Sequence, residues 1–290
     1  MASLEHEMAV AALAKIRASG GDASALARLF PRPEPDVVCV GLDAGGVGAE
    51  WVSIGPRTSE YAILYFHGGG YTEGSLGTHR ELVSRISRHS GIPVLSVDYR
   101  LAPANPFPAA VDDARMAWAW LTQTIAAHKI AVAGDSAGGG LAIALLFTLR
   151  DKSEPMPAFC ALISPWCDLE IDSESAVCAD DPLIAPDQLR KRGLCYAGLA
   201  DLRHPLASPI NGCMGNLPPL FIQVGDREVL LDDACRVNQK ALAAGGRSEL
   251  EVWEGMTHVW HILGDSVPEA RAATQQLGAA INSALRTSIT

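Results

Sequence analysis

The residues with the strongest chemical meaning in this chain are a serine and its glycine neighbours, Gly134-Asp135-Ser136-Ala137-Gly138. An apolar run, residues 130–133, leads into them, and an apolar segment, residues 139–149, leads away. That pattern is a strand, a tight turn and a helix with the serine at the apex. Glycines two positions either side let the backbone segments come close. The hydroxyl then stands exposed at a strand end, and the Ala137 amide sits at a helix N-terminus, where it can stabilise a developing oxyanion. A glycine-rich turn with no chemistry would share this pattern, so the signal needs a second feature. His67-Gly68-Gly69-Gly70 supplies it, following the apolar stretch 61–66. Three glycines in a row can turn their amides inward. Ala137 offers one donor to a tetrahedral acyl intermediate, and the amides of Gly68, Gly69 and Gly70 offer the others. His67 reads as a structural residue that orients the loop, not as a base.

A serine nucleophile needs a base and an acid, and in the chain order serine, acid, histidine both lie downstream. Of eight histidines, His258 and His261 follow both the serine and a plausible acid loop. Residues 248–253 read as a strand that leads into Glu254-Gly255-Met256-Thr257-His258. His258 therefore falls at the C-terminal end of a strand, where α/β sheets place their sites. His261 reads as packing or surface. The preceding strand, residues 220–224, is followed by Gly225-Asp226-Arg227-Glu228 and then by Asp232-Asp233. Asp232 and Asp233 fit helix N-cap or first-turn charges. Asp226 and Glu228 remain as acids that the residues alone do not separate.

The elements that must hold these groups are legible in outline. Short apolar strands alternate with longer helical segments, as a mostly parallel, doubly wound sheet requires. Residues 37–42 and 49–54 read as a hairpin around Gly45-Gly46. Thr78-His79-Arg80-Glu81 reads as a capping box opening a helix, and residues 108–126 as a further helix. Residues 4–30 read as two alanine-rich helical pieces broken at Gly20-Gly21, with a proline-rich linker at 31–35. Between 168 and 219 the alternation stops. Polar sequence, then Asp181-Pro182-Leu183, then a helix-like run 187–198 fill the interval. Its apolar residues, among them Leu189, Leu194 and Tyr196, predict a packed lid over the site and not a bare loop.

Composition excludes several classes. At 290 residues and 48% hydrophobic, the chain is long enough for one large core. A net charge of −10 argues against nucleic acid and anionic membrane surfaces. Seven cysteines are dispersed without a C-x-x-C pair or metal-ligand spacing, which predicts a reduced, cytoplasmic setting and no disulfide framework. Glu5, Glu7, Lys15 and Arg17 interrupt the N-terminal stretch, so it does not read as a secretory signal. No apolar stretch reads as a bilayer span.

The chain resembles the bacterial esterases of the hormone-sensitive-lipase family, within the α/β-hydrolase superfamily. The motifs that carry this run nearly end to end: His67-Gly68-Gly69-Gly70, Asp98-Tyr99-Arg100-Leu101-Ala102-Pro103, Asn105-Pro106-Phe107-Pro108, Gly134 to Gly140, Asp181-Pro182-Leu183, His204-Pro205-Leu206-Ala207-Ser208-Pro209 and Met256-Thr257-His258. The resemblance implies a carboxylic-ester hydrolase with Ser136 as nucleophile, His258 as base and the glycine loop with Ala137 as oxyanion hole. It implies small, short-chain acyl esters as substrates and no metal or organic cofactor. The family's acid motif, Asp-Pro-Leu-x-Asp, falls here on Glu228-Val229-Leu230-Leu231-Asp232, which implies Glu228 as the acid. Ala104 stands where the family often has a glutamate that helps hold the oxyanion loop, which puts the support of that loop in question. The implied layout is 1–35 as N-terminal helices joining a small helical cap, 36–167 and 219–290 as the two parts of the α/β-hydrolase core, and 168–218 as the cap insertion. It also implies a homodimer through the edge strand 248–253. Two rivals share the fold: an amidase or peptidase using the same triad, and a small-molecule receptor without catalysis.

Overall fold

A computed structural model describes residues 2–18, 32–57, 59–179 and 181–287. In chain order the helices are α1 (Leu4–Ala18), α2 (Leu76–Ser90), α3 (Ala109–Leu121), α4 (Ala137–Asp151), α5 (Glu174–Cys178), α6 (Pro186–Ala197), α7 (Leu231–Ala243) and α8 (Pro268–Thr287). The strands are β1 (Val37–Asp43), β2 (Gly48–Ile54), β3 (Ala62–Phe66), β4 (Val94–Val97), β5 (Ile130–Asp135), β6 (Phe159–Ile163), β7 (Leu220–Gly225) and β8 (Ser248–Trp253). The second N-terminal helical piece expected from the sequence lies outside the described residues.

The eight strands form one sheet in the order β1-β2-β4-β3-β5-β6-β7-β8. β2 runs antiparallel to both its neighbours, and every pairing from β4 through β8 is parallel. From β3 the chain steps to β4 on one side and to β5 on the other. The crevice between the C-terminal ends of β3 and β5 is therefore the switch point at which doubly wound sheets bind ligands. Helices cover both faces, so β3, β5, β6 and β7 are buried along their whole length and read as continuous apolar runs. This is the α/β-hydrolase fold.

The period of two in a strand sorts the core into layers. Leu64 and Phe66 face a cluster with Ala114 and Trp118 of α3, Leu141 and Leu145 of α4, and Val237 of α7. Ile63 and Tyr65 face the opposite cluster, with Leu82, Val83 and Ile86 of α2 and Leu277, Ile281 and Leu285 of α8. Each fully buried side chain of this size contributes about 1.5–3 kcal/mol. A third, smaller cluster joins Val10 and Leu13 of α1 to Leu183, Met256, Trp260 and residues of α8. Ser3 fixes this contact by donating from N and Oγ to the Glu269 carboxylate, at 2.6 and 2.7 Å.

Two helix boundaries differ from the sequence reading. α2 starts at Leu76, capped by Ser75 with Thr78 reciprocating, so the capping box lies one turn earlier than Thr78–Glu81. Glu81 instead pairs with Arg85 at 2.7 Å. α3 stops at Leu121 and does not reach 126. The hydroxyls of Thr122 and Thr124 take the carbonyls of Trp118 and Leu121, offering the backbone an alternative to the helix ladder. Within 168–218 the described residues form α5, α6 and a short 3-10 turn, Pro209–Asn211, with no strand among them. All seven cysteines are free. No helix among the described residues is long and apolar enough to cross a membrane.

Candidate active site

Five adjacent C-terminal strand ends deliver the site. β3 leads into the loop beginning at His67, β5 into Ser136, β6 into Ser164, β7 into Glu228, and β8 into His258. Ser136 is held at φ 53°, ψ −120°, a conformation that a side chain rarely adopts and that costs about 1–3 kcal/mol. The turn is so tight that a Cβ at Gly138 would run into the Phe66 carbonyl, and one at Gly134 would run into Gly138. That collision is the reason for the glycine at each flank.

Ser136 Oγ lies 2.9 Å from His258 Nε2, and His258 Nδ1 lies 2.8 Å from Glu228 Oε2. Ser136 and His258 are 5% and 8% exposed, and Glu228 is fully buried. The second oxygen of Glu228 accepts from Ser164 Oγ and from Gly225 N–H, both at 2.7 Å. Ser164 in turn accepts from Val259 N–H at 3.2 Å, tying the acid, the histidine loop and β6 together. Burial pulls the His258 pKa down, but the bond to Glu228 and its charge, with Asp181 and Asp135 behind them, outweigh burial and leave it above the ordinary 6.5. The arrangement can move a proton from Ser136 Oγ to His258 Nε2 and stabilise the imidazolium that results.

Asp226 is elsewhere. It is exposed, and its Oδ1 accepts from Gly255 N–H at 2.7 Å, bridging the turns after β7 and β8. Asp232 and Asp233 occupy the first turn of α7, but they do not cap it. Asp232 accepts from Ser175 N–H, and Asp233 from the N–H groups of Cys167 and Asp168. Burial pushes the Asp233 carboxyl up to about 7. His261 is buried and bonds Gln223 at 2.8 Å, away from Ser136.

The glycine loop lies over the serine with one correction. The N–H groups of Gly69, Gly70 and Ala137 meet no acceptor among the described residues. Gly68 N–H, also expected as an oxyanion donor, is taken by Asp135 Oδ1 at 2.9 Å and is not available. Asp135 stands in the sequence only as the residue between Gly134 and Ser136, yet it anchors the loop. It also accepts from Tyr65 OH at 2.7 Å and pairs with His79 Nε2 at 3.3 Å. Burial works to raise its carboxyl, but His79, Tyr65 and His67 outweigh this and hold it below the ordinary range. His67 stacks on Tyr99 and donates from Nδ1 to Gly68 O, while Tyr99 OH donates to His67 O at 2.6 Å. Burial, with His79 beside it, pushes the His67 pKa down to about 4, so it is neutral near pH 7. These contacts support the loop without a glutamate at position 104.

A cavity of about 210 Å³ opens on Ser136 and His258. Its wall is mainly apolar: Leu13 from α1, Leu183, Ile184 and Leu189 from the 168–218 interval, and Val259 and Ile262 from the histidine segment. Leu13 and Arg192, which also lines the cavity, were not singled out by sequence, because they reach the site only through tertiary packing. Among the described residues no cluster of three or more histidine, cysteine, aspartate or glutamate side chains could hold a metal.

Comparison with known proteins agrees with this fold. A family model described as an alpha/beta hydrolase fold matches residues 63–262. An acetyl-hydrolase of Streptomyces hygroscopicus is 44% identical over 255 residues, covering 87% of this chain and 84% of that protein. An ethyl acetate hydrolase of Pseudomonas putida is 34% identical over 224 residues, covering 74% and 70%. The crystal structure of an esterase from the bacterial hormone-sensitive lipase family superposes with a TM-score of 0.94 at 36% identity, covering 98% of this chain and 99% of that one.

Proposed function

The chain belongs to the hormone-sensitive-lipase family of bacterial esterases, on the α/β-hydrolase fold, and from that premise we propose that this carboxylesterase cleaves small, short-chain acyl esters through Ser136, His258 and Glu228. The observation that carries the reading is the continuous bonded line Ser136–His258–Glu228, at 2.9 and 2.8 Å, at the foot of a small apolar cavity.

Ser136 Oγ attacks the ester carbonyl carbon as its proton passes to His258 Nε2. The carbonyl oxygen becomes an oxyanion and takes the free N–H groups of Gly69, Gly70 and Ala137. Glu228 holds the ring with Nδ1 protonated and offsets the imidazolium charge. The intermediate collapses, the C–O bond to the alcohol breaks, and His258 returns its proton to the leaving oxygen. Water then attacks the acyl-enzyme with His258 again as base, releasing the acid and Ser136.

The short-acyl preference draws on the cavity's size and on the relatives named as an acetyl-hydrolase and an ethyl acetate hydrolase. The interval 168–218 and α1 act as a cap, since both contribute apolar wall to the cavity. Seven unpaired cysteines favour a reducing, cytoplasmic setting. The test is a panel of p-nitrophenyl esters from acetate to decanoate beside matched anilides. Turnover should fall with chain length beyond the shortest members and be far slower on the anilides. Equal rates on anilides would make the chain an amidase, and no turnover on any member would make it a binding protein.

A further inference from the structure

One arginine of α6 reaches across to the glycine loop and grips it at both ends. Arg192 Nη1 donates to Gly69 O at 3.1 Å, and Arg192 Nη2 pairs with Glu73 at 2.9 Å. Its stem lies over Gly70, so closely that a Cβ there would meet Arg192 Cδ at 2.6 Å. Gly69 itself has φ 120°, which a side-chain-bearing residue rarely adopts, so glycine is required at this position. The carbonyl that Arg192 holds belongs to the peptide plane whose N–H is that of Gly70. In a planar trans peptide the C=O and N–H point in opposite directions. Fixing the Gly69 oxygen therefore aims the Gly70 hydrogen the other way. The loop's own amides, Thr72 N–H and Glu73 N–H, also reach this oxygen. Among the described residues, Arg192 is the side chain outside the loop that does so, and its bond is charge-assisted.

We infer that Arg192 is a positioning residue for the oxyanion hole: it aims the Gly70 N–H and, being carried on α6, makes a complete hole depend on α6 being seated against the glycine loop. This rests on the reading of Gly69, Gly70 and Ala137 as the oxyanion donors. Its charge also lies beside the peptide that donates to the developing oxyanion, so its effect belongs to the transition state and not to substrate binding.

The experiment compares wild type with Arg192→Met and Arg192→Lys on p-nitrophenyl acetate. It also measures inhibition by a reversible trifluoromethyl ketone, whose hemiketal oxyanion mimics the tetrahedral intermediate. Removing a whole oxyanion donor costs about 10²–10³ in kcat, and misaiming one should cost less, roughly tenfold to thirtyfold for Arg192→Met. KM should stay within about twofold, and the inhibitor's Ki should rise by the factor by which kcat/KM falls. Arg192→Lys keeps charge and stem but cannot hold Gly69 O and Glu73 together, so it should fall between. Circular dichroism and melting show whether each variant is folded, and if Arg192→Met is not, Arg192→Lys decides. Unchanged kcat, or a fall in kcat with an unchanged Ki, overturns the inference while the ester reading stands. A wild-type protein that neither turns over esters nor binds the ketone overturns the underlying reading, and this inference with it.

Discussion

Glu228→Gln tests the acid with the least disturbance of shape. The two donors on Glu228 Oε1, Ser164 Oγ and Gly225 N–H, dictate how a glutamine must sit. Its carbonyl oxygen takes the place of Oε1 and accepts from both, because an amide nitrogen there would face two donors. The amide NH2 then faces His258 Nδ1, where the carboxylate oxygen was. Two N–H groups cannot bond each other, so the imidazole adopts the tautomer with its proton on Nε2. That nitrogen then points a hydrogen at Ser136 and cannot accept the serine proton. A wrong tautomer in such a triad costs about 10⁴ in kcat. At about 1.36 kcal/mol per tenfold, this is about 5.4 kcal/mol of lost transition-state stabilisation. The pH profile gives a second reading. The rate requires neutral His258, so kcat/KM rises with pH, and in wild type its midpoint lies above the ordinary 6.5 because Glu228, backed by Asp181 and Asp135, outweighs burial. In Glu228→Gln that support is gone, burial prevails, and the midpoint of the residual rate moves to lower pH. Stopped-flow or steady-state kinetics from pH 5 to 9 on a p-nitrophenyl ester measures both. A folded Glu228→Gln protein with kcat within tenfold of wild type would refute the assignment.

Other outcomes follow from the same contacts. Asp226→Asn should keep kcat within about twofold and cost under about 1 kcal/mol, because asparagine can still accept from Gly255 N–H; thermal melting and kinetics check it. Gly138→Ala should cost about 3 kcal/mol or more, seen as a large drop in Tm or loss of folded protein, since its Cβ collides with the Phe66 backbone. β8 is the last strand of the sheet, with Val252 48% exposed, and light scattering should give a dimer through that edge at micromolar concentration. A monomer would remove the dimer and leave the chemistry intact.

What the sequence disclosed follows from how local each feature is. Ser136 follows a continuous apolar run and His258 follows a strand that alternates glutamate with apolar residues, so motif and chain order suffice to find them. Asp226 and Glu228 were not separable that way. Both follow β7, and only the turn that folds Glu228 Oε1 back onto Gly225 N–H aims one inward and leaves the other outside. Asp135 anchors the glycine loop through Tyr65 of β3 and His79 of α2, partners that the strand order brings together from far along the chain. Arg192 is likewise a charge on a polar helix until α6 is seated against the loop. At α2 the sequence reading places the capping box at Thr78, and the reciprocal bonds between Ser75 and Thr78 put it one turn earlier.

The central claim, that Ser136 is the nucleophile of an acyl transfer, is tested most directly by covalent labelling. Intact-mass and peptide mass spectrometry after treatment with a serine-directed organophosphate should find one adduct per chain, on Ser136. Ser136→Ala should be folded, unlabelled and slower by roughly four or more orders of magnitude. Labelling at another residue, or a Ser136→Ala protein that still turns over esters at the wild-type rate, would contradict the account.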